Sequence, residues 1–179
     1  MVSSPEVAGK GLGDREQQSL EETHMSTVTE TVDVHVPVRT AYNQWTQFES
    51  FPQFMNGVEA VTQLDDRRTH WVTKIGGVRR EFDAEITEQN PDERVAWKSI
   101  GGDVRHAGVV TFHRLGDEDT RIAVQLEWEP QGTMEKAGSA LGVDERQVKA
   151  DTKRFKEFIE ERGAETGQWR GSIDRPDLR

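Results

Sequence analysis

The sequence predicts an α+β domain in which a curved, seven-stranded antiparallel sheet wraps around one long C-terminal helix, with two short helices after the first strand. Three observations lead there. Several runs alternate apolar and polar residues with the period of two that a half-buried strand imposes. Nearly all of them are joined by short turns rich in Gly, Asn and Asp, too short for a crossover, so neighbours pair as an antiparallel meander. Near the C-terminus the pattern changes once, to the longer period of an amphipathic helix.

The elements follow in order. Residues 1–26 are rich in Ser, Gly, Glu and Gln with almost no large apolar side chain, and are expected to form a disordered N-terminal arm. Met25 stands where patterned sequence begins, as an alternative start. The arm lacks an apolar h-region, so no secretory signal is expected. TVTETVDVHV then sets Val28, Val32, Val34 and Val36 along a strand ended by Pro37. VRTAYNQWTQF places Val38, Ala41, Tyr42, Trp45 and Phe48 at helical spacing. Pro52 disfavours the α conformation for Phe51, so this helix should stop near Phe48 or Glu49. A second short helix, about Ser50 to Met55, closes at Asn56-Gly57.

Six further strands are read from VEAVTQL, THWVTKI, VRREFDAEITEQ, ERVAWKSI, AGVVTFHRL and TRIAVQLEWEP, with Gly76-Gly77 marking a tight hairpin. From about Asp144, Val148, Thr152, Phe155 and Ile159 make one apolar stripe, Phe158 lies beside it, and Gly163 sits where a C-cap glycine belongs. The preceding GTMEKAGSALG is either a short helix or a flexible lead-in. The domain therefore spans residues 27–163, and residues 164–179 form a polar C-terminal tail with Trp169 and Arg170 as its anchors.

Composition removes whole classes of function. The hydrophobic fraction is 33%, the net charge is −10, and there is no cysteine for thiolate catalysis or a zinc-thiolate site. The isoelectric point is near 5.0 and mean hydropathy −0.79. Such a charge repels phosphate backbones, so no nucleic acid is expected as a partner, and anionic membrane surfaces are disfavoured likewise. No run approaches the ~18 apolar residues of a membrane span, so no stable membrane insertion is expected and the default location is cytoplasmic.

A bent sheet gripping one helix has a concave face wider than that helix can fill, which leaves room for a ligand. By the two-residue alternation, Trp71, Phe82, Ala84, Ile86, Val95, Trp97, Val110, Phe112, Ile122, Val124, Leu126 and Trp128 point inward. Trp71, Phe82, Trp97, Phe112 and Trp128, with Phe155 and Phe158 from the helix, are the candidate cavity lining, or else simply core. The aromatic stretch YNQWTQFESFPQF is divided by Pro52. Tyr42, Trp45 and Phe48 are expected to fix the first short helix to the sheet, whereas Phe51, Phe54 and Met55 are candidates for the pocket mouth.

Ionisable residues give little catalytic signal. Asp83 and Glu85 alternate with Phe82, Ala84 and Ile86 and should face outward, solvated or paired with Arg79 or Arg80. His70, His106 and His113 lie on separate strands, with His106 alone at a strand start from which it reaches a cavity rim. No catalytic residue, metal ligand or cofactor is assigned, since HxH, HExxH and carboxylate clusters are lacking and the paired glycines are turn glycines rather than a phosphate loop.

The words FESFPQFMNGVEAV, THWVTKIGGVRREFDAEITEQNPDERVAW and GVVTFHRL resemble the SRPBCC, or START-like, superfamily, and within it the polyketide cyclase/dehydrase branch that includes coenzyme Q-binding START domains. The resemblance covers about residues 27–163 and implies the helix-grip fold with a hydrophobic cavity between sheet and C-terminal helix. It implies a hydrophobic small-molecule ligand, of polyketide, quinone or lipid-like class. It leaves open a polyketide cyclase/dehydratase acting in the same pocket, or an accessory interaction module whose cavity is vestigial. No protein partner is assigned.

Overall fold

The structure, a computed structural model, describes residues 26–103, 105–129 and 139–175, with side chains of the last segment described from residue 145. The expected N-terminal arm up to residue 25 and most of the GTMEKAG lead-in lie outside the described residues. Seven strands run β1 (Ser26–Val34), β2 (Val58–Gln63), β3 (Arg68–Ile75), β4 (Val78–Asn90), β5 (Arg94–Gly102), β6 (His106–Arg114) and β7 (Thr120–Trp128). They form one antiparallel sheet in the order β1-β7-β6-β5-β4-β3-β2. Strands β2 to β7 are thus a meander, and β1 joins its far edge through the register Val28↔Leu126 and Val34↔Thr120. Register shifts at Asp83/Ala84 and Ile86/Glu88 put irregularities in the long β4–β5 pair. Extra residues of this kind bend a strand and increase its twist, which curls the sheet into a half-barrel.

The first helix, α1 (Val38–Trp45), stops three residues before Phe48, the end that apolar spacing suggests. The Thr46 hydroxyl donates to the Asn43 carbonyl at 2.6 Å, taking an acceptor that helix continuation would use. A 3-10 helix, Phe48–Gln53, follows, with Pro52 inside it. Pro52 has no N–H to donate to the Phe48 carbonyl, so an α turn cannot form across it. The long helix α2 (Ser139–Arg162) begins five residues before Asp144. Ala140 and Leu141 are strong helix formers, and Gly142 is tolerated once the helix has begun. Gly163 ends α2 at φ 66°, with its N–H donating to the Ile159 carbonyl at 2.9 Å.

α2 lies across the concave face, burying Phe155 and Ile159 completely. Asp151, 7% exposed, fixes it in place: the carboxylate accepts the Asn56 N–H at 2.9 Å and the Gly57 N–H at 3.4 Å. Gln147 adds a 2.8 Å bond to the same group. One helical residue thus satisfies the backbone of the loop that enters β2.

Beyond Gly163 the chain is packed rather than loose. It returns across α1, where Asn43 and Gln44 are completely buried and depend on it for partners. Asn43 donates to Glu165 at 2.8 Å, and the Gln44 carboxamide exchanges bonds with Thr166 at 2.8 and 3.1 Å. Arg170 forms a two-pronged pair with Asp92 at 2.8 and 2.9 Å, donates to Asn43 Oδ1 at 2.8 Å, and lies over the Tyr42 ring at 5.7 Å. Ile173, 3% exposed, exchanges two 2.8 Å backbone bonds with Gln89. Residues 164–175 therefore act as a strap on the domain.

Two substitutions test these fixings. Arg170→Ala strands Asp92 and the Asn43 side-chain Oδ1 and should cost ~1–3 kcal/mol in urea unfolding, as polar groups left unpaired do. Asp151→Ala should cost a similar ~1–3 kcal/mol and speed amide exchange at Asn56 and Gly57. An unchanged unfolding midpoint in either variant would contradict the corresponding contact.

Candidate functional site

The inward residues of adjacent strands stand opposite one another across the ladder: Trp71↔Phe82, Ile86↔Trp97, Val95↔Val110, Val110↔Val124 and Phe112↔Ile122. That common face meets α1, the 3-10 helix and α2 through a chain of aromatic rings. Trp45 packs against Phe155 at 5.0 Å, Phe51 at 5.4 Å and Phe112 at 6.3 Å, all edge-to-face. Phe51 continues to Trp71 at 5.6 Å, and Trp71 stacks parallel to Phe82 at 6.2 Å. Phe54 reaches α2 through Phe155 and Phe158, each at 5.1 Å.

The candidates divide by exposure. Phe51, Phe54, Trp71, Phe82, Phe112 and Phe155 are buried, whereas Met55, Trp97, Trp128 and Phe158 are half-buried. Phe51 and Phe54 are 2% and 1% exposed, so they close the interior rather than open it as a mouth. The reason is local. Met55 N–H and Phe54 N–H both bond back to the Phe51 carbonyl, which turns the segment inward and brings both rings onto the sheet and α2. Met55, the next residue, retains partial exposure.

A small cavity of about 10 Å³ remains, walled by Trp45, Phe48, Phe51, Thr69, Trp71, Ile86, Val95 and Trp97. That is room for about one water molecule. Trp45 and Phe48, read from sequence as helix packing, are thus also cavity wall. Thr69 was missed, although it precedes Trp71 by two residues and so shares its face; its hydroxyl accepts the Trp71 indole N–H at 2.7 Å. One buried donor in this wall goes without an acceptor, the Trp45 indole Nε1. The Tyr42 hydroxyl is buried against the Gln89 carboxamide, and burial raises its pKa.

His106 lies at the other end of this face. Its ring is walled by Phe82 at 5.6 Å and Trp97 at 6.2 Å, and its Nδ1 accepts a long 3.4 Å bond from Trp97 Nε1. The residue is half-exposed, yet burial of the ring beside Phe82 and Trp97 pushes its pKa down to about 4. His106 is therefore neutral at pH 7. Leu126 and Trp128 stand across β7 from Gly108 and His106, both half-buried. The remaining ionisable candidates face away. Asp83 takes His70 at 2.6 Å on the outer face, and Arg79 bridges Glu59 and Glu81. His113 is exposed beside Thr111. Among the described residues no group of three or more metal-ligating side chains is assembled, and no helix is long and apolar enough to cross a membrane.

The comparisons with known proteins agree with this geometry. Residues 34–157 match the family described as polyketide cyclase/dehydrase and lipid transport. The chain belongs to that family. A 17.2 kDa protein of Streptomyces lincolnensis is 60% identical over 149 residues, covering 83% of this chain and 99% of the relative. Among solved structures, the aromatase/cyclase ZhuI of a Streptomyces species superposes with a TM-score of 0.65 at 17% identity, over 82% of this chain and 100% of its own. A START superfamily protein of Mycobacterium smegmatis does so with 0.59 at 16% identity, over 76% and 95%. At such identities the likeness is one of fold, and this family member has the helix-grip fold of the START/SRPBCC superfamily.

The low pKa of His106 has a measurable consequence. A folded-state pKa near 4 against the ordinary histidine value of 6.5 means that the unfolded chain binds the extra proton first. Stability contributed by neutral His106 is thus fully present above pH ~6.5 and is lost as pH falls toward 4. For a half-exposed residue the loss should be ~1–3 kcal/mol. Urea midpoints between pH 7 and pH 4.5 should fall less steeply in His106→Gln than in the wild type; equal slopes would show that the ring is freely solvated.

Proposed function

We propose that this protein binds a hydrophobic small molecule, of polyketide, quinone or lipid-like class, in the groove between the concave face and α2. The observation that carries the reading is an asymmetry along one apolar surface. At the strap end Val34, Val95, Val110, Ile122 and Phe155 are sealed, all at 0% exposure. At the other end Trp97, Leu126 and Trp128 on the sheet stay half-buried around neutral His106. Apolar surface that the fold leaves partly wet is surface a ligand gains by covering, at roughly 25 cal/mol per Å². Phe51, Phe54, Trp71, Phe82, Phe112 and Phe155 then form the floor and back wall. Membership of a family described by both cyclisation and lipid transport supports the ligand class.

A cyclase/dehydratase reading rests on His106 specifically. With Nδ1 accepting from Trp97, the neutral imidazole carries its proton on Nε2 and can donate it to a substrate oxygen placed within ~3 Å. Binding alone requires no such contact, so activity lost in His106→Gln with affinity kept separates the two.

The test is titration with N-phenyl-1-naphthylamine, a dye that brightens in apolar surroundings. It should bind the wild type, and Leu126→Asp should weaken binding by about tenfold or more, because an ionised carboxylate then stands in the lining. Gln125→Asp, one residue away on the outer face, should leave affinity unchanged. Equal effects of the two substitutions would overturn the reading.

A further inference from the structure

Trp97 occupies a position that the binding reading does not explain. Its indole walls the small cavity on one side, together with Trp45, Phe48, Phe51 and Trp71. On the other side it touches His106 and is half-exposed. The ring lies flat on β6, where Gly108 is its Cα partner. A Cβ at Gly108 would overlap the six-membered ring of Trp97, so only glycine permits this seat. The single polar tether of the indole is the 3.4 Å bond to His106 Nδ1, longer than a well-formed N–H hydrogen bond. A second, independent observation lies behind it. Trp45 is 2% exposed and forms part of the cavity wall, yet its Nε1 has no acceptor. A buried donor left unpaired costs ~1–3 kcal/mol, and folded proteins keep few of them.

Building on the ligand-binding reading above, we propose that Trp97 is a movable partition between an outer, half-open groove and an inner chamber, and that the inner chamber receives a flat aromatic group carrying an acceptor oxygen that takes the hydrogen bond of Trp45 Nε1. The chemistry of the walls selects this class. Edge-on aromatic rings favour a planar π system over a flexible hydrocarbon chain. An acceptor without an acidic proton satisfies Trp45 without bringing an unpaired charge into an apolar enclosure. The cavity holds about one water, too little for an aromatic ring, so entry of one requires a wall to move, and Trp97 is the half-exposed wall. Trp97 and Trp45 are then specificity-determining residues: the first sets the depth of the pocket, the second its preference for an oxygen.

Acetophenone and ethylbenzene, alike in shape but differing in the acceptor, are the probes, and the tryptophan indole N–H signals in a ¹H–¹⁵N spectrum are the readout. Removing the indole in Trp97→Ala opens space on the order of the ~150 Å³ apolar cavities that take benzene-sized molecules. Acetophenone should bind this variant about tenfold or more tighter than the wild type, with the Trp45 indole proton moving downfield. Ethylbenzene should bind about tenfold more weakly than acetophenone, and adding Trp45→Phe should abolish that preference. Gly108→Ala keeps the indole but evicts it from its seat, and should likewise raise acetophenone affinity; it keeps the test decisive should Trp97→Ala not fold. Affinity unmoved by both Trp97→Ala and Gly108→Ala, or equal affinity for the two probes with the Trp45 signal unshifted, would overturn the proposal. If N-phenyl-1-naphthylamine still binds in that case, the partition alone falls; if the dye also fails to bind, the ligand-binding reading falls with it.

Discussion

Trp45 and Phe155, with ring centroids 5.0 Å apart, join two pieces of this molecule that lie far apart in sequence. Trp45 ends α1, and Phe155 lies on α2 more than a hundred positions later. Around them Phe51 and Phe54 bring in the 3-10 helix, while Phe112 brings in the sheet. A curved sheet exposes an apolar concave face that no strand can cover, so these elements must converge on it for the fold to exist. Each buried aromatic side chain contributes roughly 1.5–3 kcal/mol, and each edge-to-face pair adds ~0.5–1.5 kcal/mol. Burial on this scale explains how a chain with 33% hydrophobic residues sustains a core: its aromatics are concentrated where the elements meet.

The same convergence decides where a ligand can go. α1, the 3-10 helix and the C-terminal strap close one end of the groove; the strap does so by supplying hydrogen bonds to buried Asn43 and Gln44 rather than by adding much apolar area. At the other end nothing among the described residues packs as tightly on Trp97, Leu126 and Trp128. His106 stands there as a neutral polar group among rings, and Asp151 fixes the overlying helix to the loop before β2. Burial, charge and hydrogen bonding therefore all separate a sealed half from an accessible half.

Much of this was legible in the residues themselves. The seven strands, the break at Pro52 and the glycine stop at Gly163 follow from local rules: side-chain alternation, the missing proline N–H and the left-handed conformation open to glycine. The inward list from Trp71 to Trp128 was also readable, because a strand has two faces and the apolar one must be covered. The candidate site was legible only as a face. Nothing in YNQWTQFESFPQF distinguishes a ring that lines a cavity from one that fills it.

The sequence by itself determined the order of elements, the antiparallel meander and the lack of any thiol, since these depend on residue type and period. Tertiary structure alone decided that Phe51 and Phe54 turn inward, that residues 164–175 strap the domain, and that His106 is held neutral between Phe82 and Trp97. It alone put the Trp97 indole on Gly108 and left Trp45 Nε1 without an acceptor. The reason is physical. Periodicity encodes which side of an element is apolar, whereas burial, pKa and hydrogen-bond satisfaction depend on neighbours brought in from distant segments of the chain.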